Sequence, residues 1–318
     1  NSSVSIGAYY QLEWRKSRLP GAGSYFSFAD FIDEGGETLI LGPGFAVNRA
    51  DDIEARDSGQ GGVQMRITSG DYEFGIYAAQ YHDKMPQFYV YPDAGLYEMV
   101  YAEDIRTLGV SVSTLIGETN VAAEMSVRDD MPLVASGNTV IAPGGYGVID
   151  GGSDAAFPKG RTLHLNLSAI SVLSATPFWD GASFIGELAF NRVMSVTDNK
   201  NQLDPLATRD AGALQLIFTP EYFQVAPGLD LQVPIGVGYG LFGRSAVNGV
   251  LFPSENGGNV SIGLKGDYQK QWQASLGYTH YFGTDGSVIN YDTAVPELSY
   301  NNFHGDRDFI SFSVQRTF

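Results

Sequence analysis

The sequence predicts an all-β fold: a transmembrane antiparallel β-barrel of about 12 strands, with long extracellular loops and short periplasmic turns. Three observations lead to this prediction. Apolar and polar residues alternate with a period of two over about twelve segments. No window holds the roughly 18 apolar residues of a membrane helix. The connections between segments alternate between short and long, as in bacterial outer-membrane barrels. We expect residues 1–318 to form a single barrel domain.

The first alternating segment shows the pattern over eleven residues. Its apolar face is Val4, Ile6, Ala8, Tyr10, Leu12 and Trp14, and small or polar residues separate these positions. A period of two indicates a strand with one apolar and one polar face. Eleven residues exceed the usual strand of about five or six and match the roughly 9–11 that cross a bilayer as a tilted strand.

Eleven further segments repeat this alternation in order along the chain. Named by the ends of their apolar faces, they are Val63 to Ile67, Tyr72 to Ala78, Leu108 to Ile116, Val121 to Val127, Leu163 to Leu167, Phe184 to Phe190, Leu214 to Phe218, Leu229 to Tyr239, Val260 to Leu264, Trp272 to Tyr278, and Ile310 to Phe318. Together with the first segment they predict twelve strands.

The connections support this count. Long polar stretches span 15–57, 82–104, 129–161, 193–210, 242–258 and 284–304, and short turns lie between them. Strict alternation requires that Leu96 to Arg106 is loop or strand extension rather than a thirteenth spanning strand. Twelve strands put both termini on the periplasmic side. Because a barrel in lipid leaves no open edge, Val4–Trp14 is predicted to pair with Arg307–Phe318.

A soluble antiparallel barrel or sandwich also alternates, but its strands are usually shorter and its apolar face points inward. Strand length and the 13% aromatic content favour the membrane barrel. The terminal Phe318, with apolar residues at positions 310, 312 and 314, resembles the C-terminal insertion signal of outer-membrane proteins.

Composition excludes several function classes. The chain has 19 Lys and Arg against 36 Asp and Glu, a formal net charge of −17, which argues against nucleic-acid binding. There is no cysteine, so disulfide scaffolds, thiolate metal sites and cysteine nucleophiles are excluded.

Nine short segments resemble one known family. They are AYYQLEW at 8–14, RLP at 18–20, GSYFS at 23–27, DSGQGGV at 57–63, EFGIY at 73–77, YHDKMP at 81–86, YAEDIR at 101–106, MPL at 131–133 and RDFI at 307–310. The chain resembles the proteobacterial domain-of-unknown-function 1302 family of outer-membrane proteins. The resemblance implies an outer-membrane location and a link to hydrophobic cargo, and it supplies no catalytic residues. Members are generally longer, which implies that an N-terminal segment is missing here and that this chain is the C-terminal barrel portion.

Charged residues on the polar face of the segments are the candidate pore lining, because a charge facing lipid is costly. They are Glu13, Arg66, Glu73, Glu124, Arg128, Glu187, Asp230, Lys265 and Asp267. Arg66, Glu73, Glu124 and Arg128 are predicted to face inward at similar depth, close enough to pair. A twelve-strand barrel is intermediate in diameter between barrels of about eight strands, whose interior is filled by side chains, and barrels of about 16–18 strands, which contain an aqueous channel. The same residues therefore fit either a water-filled pathway or a packed polar interior.

Two further features point to the inside of the barrel. Pro234, Gly236, Gly238 and Gly240 form an inward stripe that leaves room for a plug, an inward loop or a solute, or only lets the strand bend. Tyr25, Phe26, Phe28 and Phe31 crowd one long loop and are predicted to be buried as a lid over the extracellular mouth, where an apolar ligand can also bind.

No cofactor, metal site or enzyme activity is predicted. The four histidines lack metal-ligand spacing, and the acidic loop residues around Asp52 and Asp204 lack an EF-hand pattern. Ser275 lies near His280, but the two have opposite parity and cannot share a proton directly.

The sequence therefore predicts an outer-membrane channel or transporter for small or hydrophobic solutes. The alternative is a structural or secretion-associated barrel whose lumen is plugged by an N-terminal element. The expected partners are outer-membrane lipid and lipopolysaccharide and a small or lipophilic solute. A homo-oligomer or an inner-membrane exporter is a further candidate, and nucleic acid is not.

Overall fold

Long antiparallel strands hydrogen-bond in chain order into one large sheet, which we call the wall. The computed structural model describes residues 3–293 and 296–317. The wall strands are β1 (Val4–Gln11), β4 (Gln60–Ser69), β5 (Tyr72–Tyr81), β8 (Ile105–Ile116), β9 (Thr119–Pro132), β11 (Lys159–Leu173), β12 (Gly181–Asp198), β13 (Asp210–Ala226), β14 (Leu229–Gln232), β15 (Ile235–Phe242), β16 (Gly258–Tyr268), β17 (Trp272–Phe282) and β20 (Phe309–Arg316).

The wall consists of twelve traverses, as the sequence predicts. It has 13 strands, but β14 and β15 are consecutive halves of one traverse, and both lie between β13 and β16. The break falls at Val233 and Pro234, where proline has no N–H to donate to the ladder. The predicted all-β, antiparallel fold with alternating short and long connections is confirmed.

The wall exposes its apolar face. Residues paired directly across antiparallel strands share a face, and successive residues alternate between faces. On the apolar face Ile6 is 78% exposed and Leu108 is 68% exposed, and large apolar side chains on most other traverses are exposed as well. An apolar surface this extensive needs a partner other than water.

A second, five-stranded sheet is built from three long loops. It contains β2 (Thr38–Gly42), β3 (Phe45–Arg49), β6 (Pro86–Tyr91), β7 (Leu96–Tyr101) and β10 (Val140–Ile141), in the order β10-β6-β7-β3-β2. We call residues 12–59, 82–104 and 133–158 the cap. Leu96–Tyr101 is therefore not a spanning strand, in agreement with the prediction, but it is an ordered strand of the cap.

The cap holds most of the buried apolar core. Its principal cluster includes Tyr89, Val100, Leu133 and Phe157, all buried. A second cluster joins Trp14 to Tyr101, whose ring centroids are 4.7 Å apart. Trp14 belongs to the cap because β1 ends at Gln11, not at residue 14 as predicted.

The connection of residues 243–257, which we call the inner loop, folds over the polar face of the wall. Ser245 Oγ contacts Asn191 Oδ1 at 2.9 Å, and the Val134 amide donates to the Ala246 carbonyl at 2.8 Å. A Cβ atom added at Gly240 would clash with the Ser254 carbonyl oxygen. At this position the glycine stripe therefore makes room for an inward loop, one of the three occupants that the sequence left open.

The predicted pairing of Val4–Trp14 with Arg307–Phe318 is wrong for the part of the chain that the structure describes. There β1 pairs only with β4, and β20 pairs only with β17. Phe318, the predicted insertion signal, lies outside the described residues.

At the long-loop end, cap residues contact the start of β20. Tyr25 Oη donates to the Asp308 carbonyl at 2.8 Å, and Arg307 donates to the Tyr25 carbonyl at 3.0 Å. The Phe26 and Phe309 rings lie 5.3 Å apart. Side-chain and loop contacts thus connect the cap to the last strand where a backbone ladder was expected.

The remaining elements are short. β18 (Ile289–Asn290) pairs with β19 (Glu297–Leu298), and single 3₁₀ turns span Pro92–Ala94, Ser136–Asn138, Lys200–Gln202 and Gly249–Leu251. Within the described ranges, none of these helical turns has the length or apolarity to cross a bilayer.

Candidate functional site

Eight of the nine predicted pore-lining residues share the polar face of the wall. Directly paired residues on neighbouring strands point to the same face, so the pairings assign these eight residues to one face. They are Arg66, Glu73, Glu124, Arg128, Glu187, Asp230, Lys265 and Asp267. The ninth, Glu13, follows β1 and forms an exposed ion pair with Arg15 at 2.8 Å. That these residues line a pore stays a prediction.

The predicted four-residue charge network is only partly formed. Arg66 Nη1 lies 3.8 Å from Glu73 Oε1. Arg66 and Glu124 are at the same level, linked through Gly75 and Ser111, but Arg128 lies four residues further along β9. Within residues 3–293 and 296–317, no ion pair joins Glu124 to Arg128. The four charges are thus not at one depth, because a shift of four residues along a strand moves a side chain by about 13 Å.

Three cavities lie along this face, from the long-loop end to the short-turn end. The mouth cavity, of about 320 Å³, lies beneath the cap and is lined mostly by apolar side chains. Its main contributors are Phe28, Phe31, Phe88, Met131, Val250 and Ile289. It is lined jointly by the cap, the inner loop and the loop 283–308.

The upper cavity, of about 460 Å³, is mostly polar. Glu124, Ser126, His164, Asn166 and Asn191 line it from three adjacent strands. Arg128 and Asn248 line both the mouth cavity and the upper cavity. These two residues therefore mark the boundary between an apolar compartment and a polar one.

The lower cavity, of about 560 Å³, lies near the short turns and contains three of the predicted residues, Asp230, Lys265 and Asp267. Lys270 Nζ is 2.9 Å from Asp230 Oδ2 and 3.9 Å from Asp267 Oδ2. The acidic excess of this end is thus partly offset by a turn lysine.

The predicted aromatic lid divides into two pairs. Phe28 and Phe31 are partly buried and line the mouth cavity. Tyr25 and Phe26 are 55% and 39% exposed, so the prediction that they are buried is wrong. They contact β20 at the rim instead of entering the mouth.

Asp83, which is half-buried, and Asp204, which is buried, lie beside the mouth. Burial raises the pKa of Asp83 above its usual value, while hydrogen bonds from the Met85 and Lys84 amides and the charge of Arg128 lower it. Burial also raises the pKa of Asp204, whose carboxylate accepts a 2.6 Å hydrogen bond from Tyr300.

The other candidate groups have structural partners. Asp52 is paired with Lys16 at 2.5 Å and Arg49 at 2.8 Å. Ser275 contacts Ser313 at 2.7 Å on the polar face, whereas His280 contacts Asp308 at 2.7 Å. The register places Ser275 and His280 on opposite faces of β17.

The cap sheet and the inner loop are the parts of the site that the sequence did not predict. The only local signal for the cap was the run Phe88 to Tyr101, which alternates poorly and is rich in tyrosine. The inner loop had only the facing glycine stripe as a signal.

The chain was compared with protein families, curated proteins and solved structures. No curated protein matches the chain. The outer membrane channel DcaP of Acinetobacter baumannii is similar at 10% identity and a TM-score of 0.35, over 99% of this chain and 98% of that one. A structure described under "Unveiling the Mechanism Behind the in-meso Crystallization of Membrane Proteins" is similar at 10% identity and a TM-score of 0.29, over 83% and 78%. The profile of the protein family of unknown function DUF1302 matches residues 1–318, and the chain belongs to that family.

Proposed function

We propose that this protein is an outer-membrane channel or transporter for small or hydrophobic solutes. The observation that carries the proposal is the two-faced wall. One face exposes large apolar side chains on nearly every traverse, and the other holds the charged residues and the cavities. Lipid is the solvent that suits the first face, and water or a polar solute suits the second.

The ends of the strands fit this placement. Near the long loops, ion pairs replace apolar residues: Arg106 with Asp130 at 3.6 Å, Arg161 with Asp129 at 2.5 Å, and Arg192 with Asp210 at 3.3 Å. Charges are tolerated at the membrane interface and not at its midplane. We therefore place the cap and the long loops outside the cell, with lipid and lipopolysaccharide around the apolar face.

The three cavities define a path for the solute in this proposal. A solute enters the mouth cavity beneath the cap, passes Arg128 and Asn248, and continues through the upper and lower cavities. The inner loop, attached to Asn191 through Ser245, narrows the path between the first two. No catalytic step is part of the proposal. A homo-oligomer or an inner-membrane exporter is the proposed protein partner.

Conductance in planar bilayers and uptake of a small apolar solute into liposomes test the function together. The wild-type protein is expected to permit flux above protein-free membranes, and Ser245→Ala, which removes the hydroxyl that holds the inner loop, is expected to increase it. Removing Arg66 or Arg128 should shift reversal potentials toward cations, because acids outnumber bases on this face. No flux with the wild type or with Ser245→Ala would contradict a transport function.

The alternative is a structural or secretion-associated barrel whose lumen is plugged by an N-terminal element. It predicts no flux from a longer chain that carries the upstream segment, and flux when that segment is removed. Measuring both chains in one bilayer system separates the two proposals.

A further inference from the structure

We propose that the mouth cavity binds a small amphiphilic anion, an apolar body with one carboxylate or similar acidic group, and that Arg128 binds the acidic group. This inference rests on the proposed function and specifies its solute. The mouth cavity and Arg128 belong to different elements, and the wall and the cap bring them together only in the folded chain.

We infer an apolar body for the ligand from the residues that line the mouth cavity. Phe28, Phe31, Phe88, Met131 and Ile289 supply apolar surface from four segments of the chain. A volume of about 320 Å³ is at the lower end of the range for small-molecule pockets, about 300–1,000 Å³. The cavity is therefore suited to a short chain or a single ring system rather than to a whole phospholipid.

We infer the acidic group of the ligand from the surroundings of the Arg128 guanidinium. In the part of the chain that the structure describes, no carboxylate lies within 4 Å of its guanidinium, whereas Arg66 on the same face is paired with Glu73. Its positive charge lies near the Tyr81 hydroxyl and near the Asp83 carboxylate. A guanidinium has five donors in a planar fork that matches a carboxylate, so Arg128 has donors left for an anion.

Asp83 is the other charged residue of the lining, and an ionised carboxylate there would repel an anionic ligand. Its Oδ1 accepts hydrogen bonds from its neighbours' amides, Lys84 N at 2.7 Å and Met85 N at 3.0 Å. That carboxylate oxygen is thus held by its own loop, and the Asp83 carboxylate lies near Arg128 but outside the 4 Å of an ion pair. Arg128 is therefore the charged group of the lining with donors available for a ligand.

The position of Arg128 also gives the bound ligand a direction. Because Arg128 lines both the mouth cavity and the upper cavity, an acidic group held there points toward the polar compartment while the body stays in the apolar one. The geometry therefore orients an amphiphile with its head toward the periplasm.

Equilibrium binding in lipid nanodiscs tests the inference without requiring flux. The probes are octanoate, octan-1-ol and octylammonium, with empty nanodiscs subtracted. We expect octanoate to bind about tenfold to a hundredfold more tightly than octan-1-ol, the range for a charge-assisted hydrogen bond. Arg128→Gln should lower octanoate affinity to that of octan-1-ol, and Arg128→Lys should retain part of the difference.

Two controls make the outcome specific. Arg106→Gln removes an arginine from the neighbouring strand on the apolar face, where it is paired with Asp130, and should leave binding of all three probes unchanged. Phe28→Ser should weaken octanoate and octan-1-ol alike. Equal binding of the two by the wild type, tighter binding of octylammonium, or no effect of Arg128→Gln would overturn the inference. Octanoate binding without liposome flux would support this site and contradict transport.

Discussion

Large apolar side chains cover the outside of the wall, whereas in the cap they are enclosed. Leu108 in the wall is mostly exposed, and Tyr89 and Tyr97 in the cap are fully buried. Both regions are built from β-strands. The difference is the solvent that each requires: the wall needs an apolar environment around it, and the cap makes its own.

The wall and the cap also differ in where their charged residues lie. On the wall they lie on the polar face or at the strand ends, and in the cap several are buried in ion pairs, as Asp52 is with Arg49 and Lys16. The same kind of substitution should therefore have a different effect in each region. Four predictions follow this logic, from the largest expected effect to the smallest.

Removing a ring from the cap core should have the largest effect. Phe157 is fully buried, and its ring lies 6.1 Å from that of Tyr89. Phe157→Ala should destabilise the cap by about 3–5 kcal/mol. Hydrogen exchange should show faster exchange in β6 and β7 with the wall protected as before. Phe178→Ala, at an exposed turn, is the control and should change stability by less than about 0.5 kcal/mol. Equal loss of protection in wall and cap would mean that the two do not unfold separately.

A charge on the apolar face of the wall should have the next largest effect. Val110→Lys should destabilise the protein in lipid vesicles by about 2–4 kcal/mol, because the charge meets hydrocarbon. Ser113→Lys, three residues further along β8 and directly opposite Glu73 on the polar face, should be nearly neutral. Denaturant titration of vesicle-inserted protein measures both. If the two variants are equally stable, lipid does not surround this face.

A buried acid of the cap should make its stability depend on pH. Burial raises the pKa of Glu98, although hydrogen bonds from Tyr91 and Tyr146 lower it. The folded state therefore favours the protonated acid. The protonated Glu98 therefore contributes fully to the stability of the cap below the usual pKa near 4.5, and this contribution is lost as pH rises through the folded-state pKa.

Glu98→Gln should remove this dependence and make the cap more stable than the wild type at pH 7. It keeps an acceptor for Tyr91 Oη, which lies 2.8 Å from Glu98 Oε2. Glu37→Gln, at an exposed cap position, is the control. Thermal melts of the three proteins between pH 4 and 8 measure the effect, and parallel curves for wild type and Glu98→Gln would contradict it.

The smallest effect is expected where the cap meets β20. Arg307→Gln removes hydrogen bonds to the Tyr25 and Ser27 carbonyls and should cost about 0.5–1.5 kcal/mol. Exchange should accelerate at residues 24–27 and at the start of β20 only. Arg18→Gln, an exposed cap arginine, should leave both segments unchanged. Unaltered exchange in Arg307→Gln would show that these contacts do not hold the cap to the last strand.

Local pattern explains why the wall could be predicted. Side-chain direction alternates along every strand, so twelve alternating segments indicate twelve traverses and assign each charged residue to a face without knowledge of its neighbours. The polar-face residues from Arg66 to Asp267 follow from this rule. Glu13 does not, because β1 ends before it and the rule then no longer applies.

The cap, the inner loop and the mouth cavity depend on contacts between residues far apart in the chain. Burial of Phe28 and Phe31 but not of Tyr25 and Phe26 depends on which segment each ring meets, and nothing in the run itself distinguishes them. The position of Arg128 against an apolar cavity likewise depends on loops from the rest of the chain.

The sequence by itself determined the strand count, the two faces of the wall and the end of the wall at which the long loops lie, because these depend on a period of two and on the spacing of turns. Only the tertiary structure decided that the long loops build a second sheet, that one loop turns inward beside Gly240, and that Arg128 and Asn248 lie between an apolar compartment and a polar one. These features require segments of the chain to meet, and which segments meet depends on packing among all of them rather than on any local pattern.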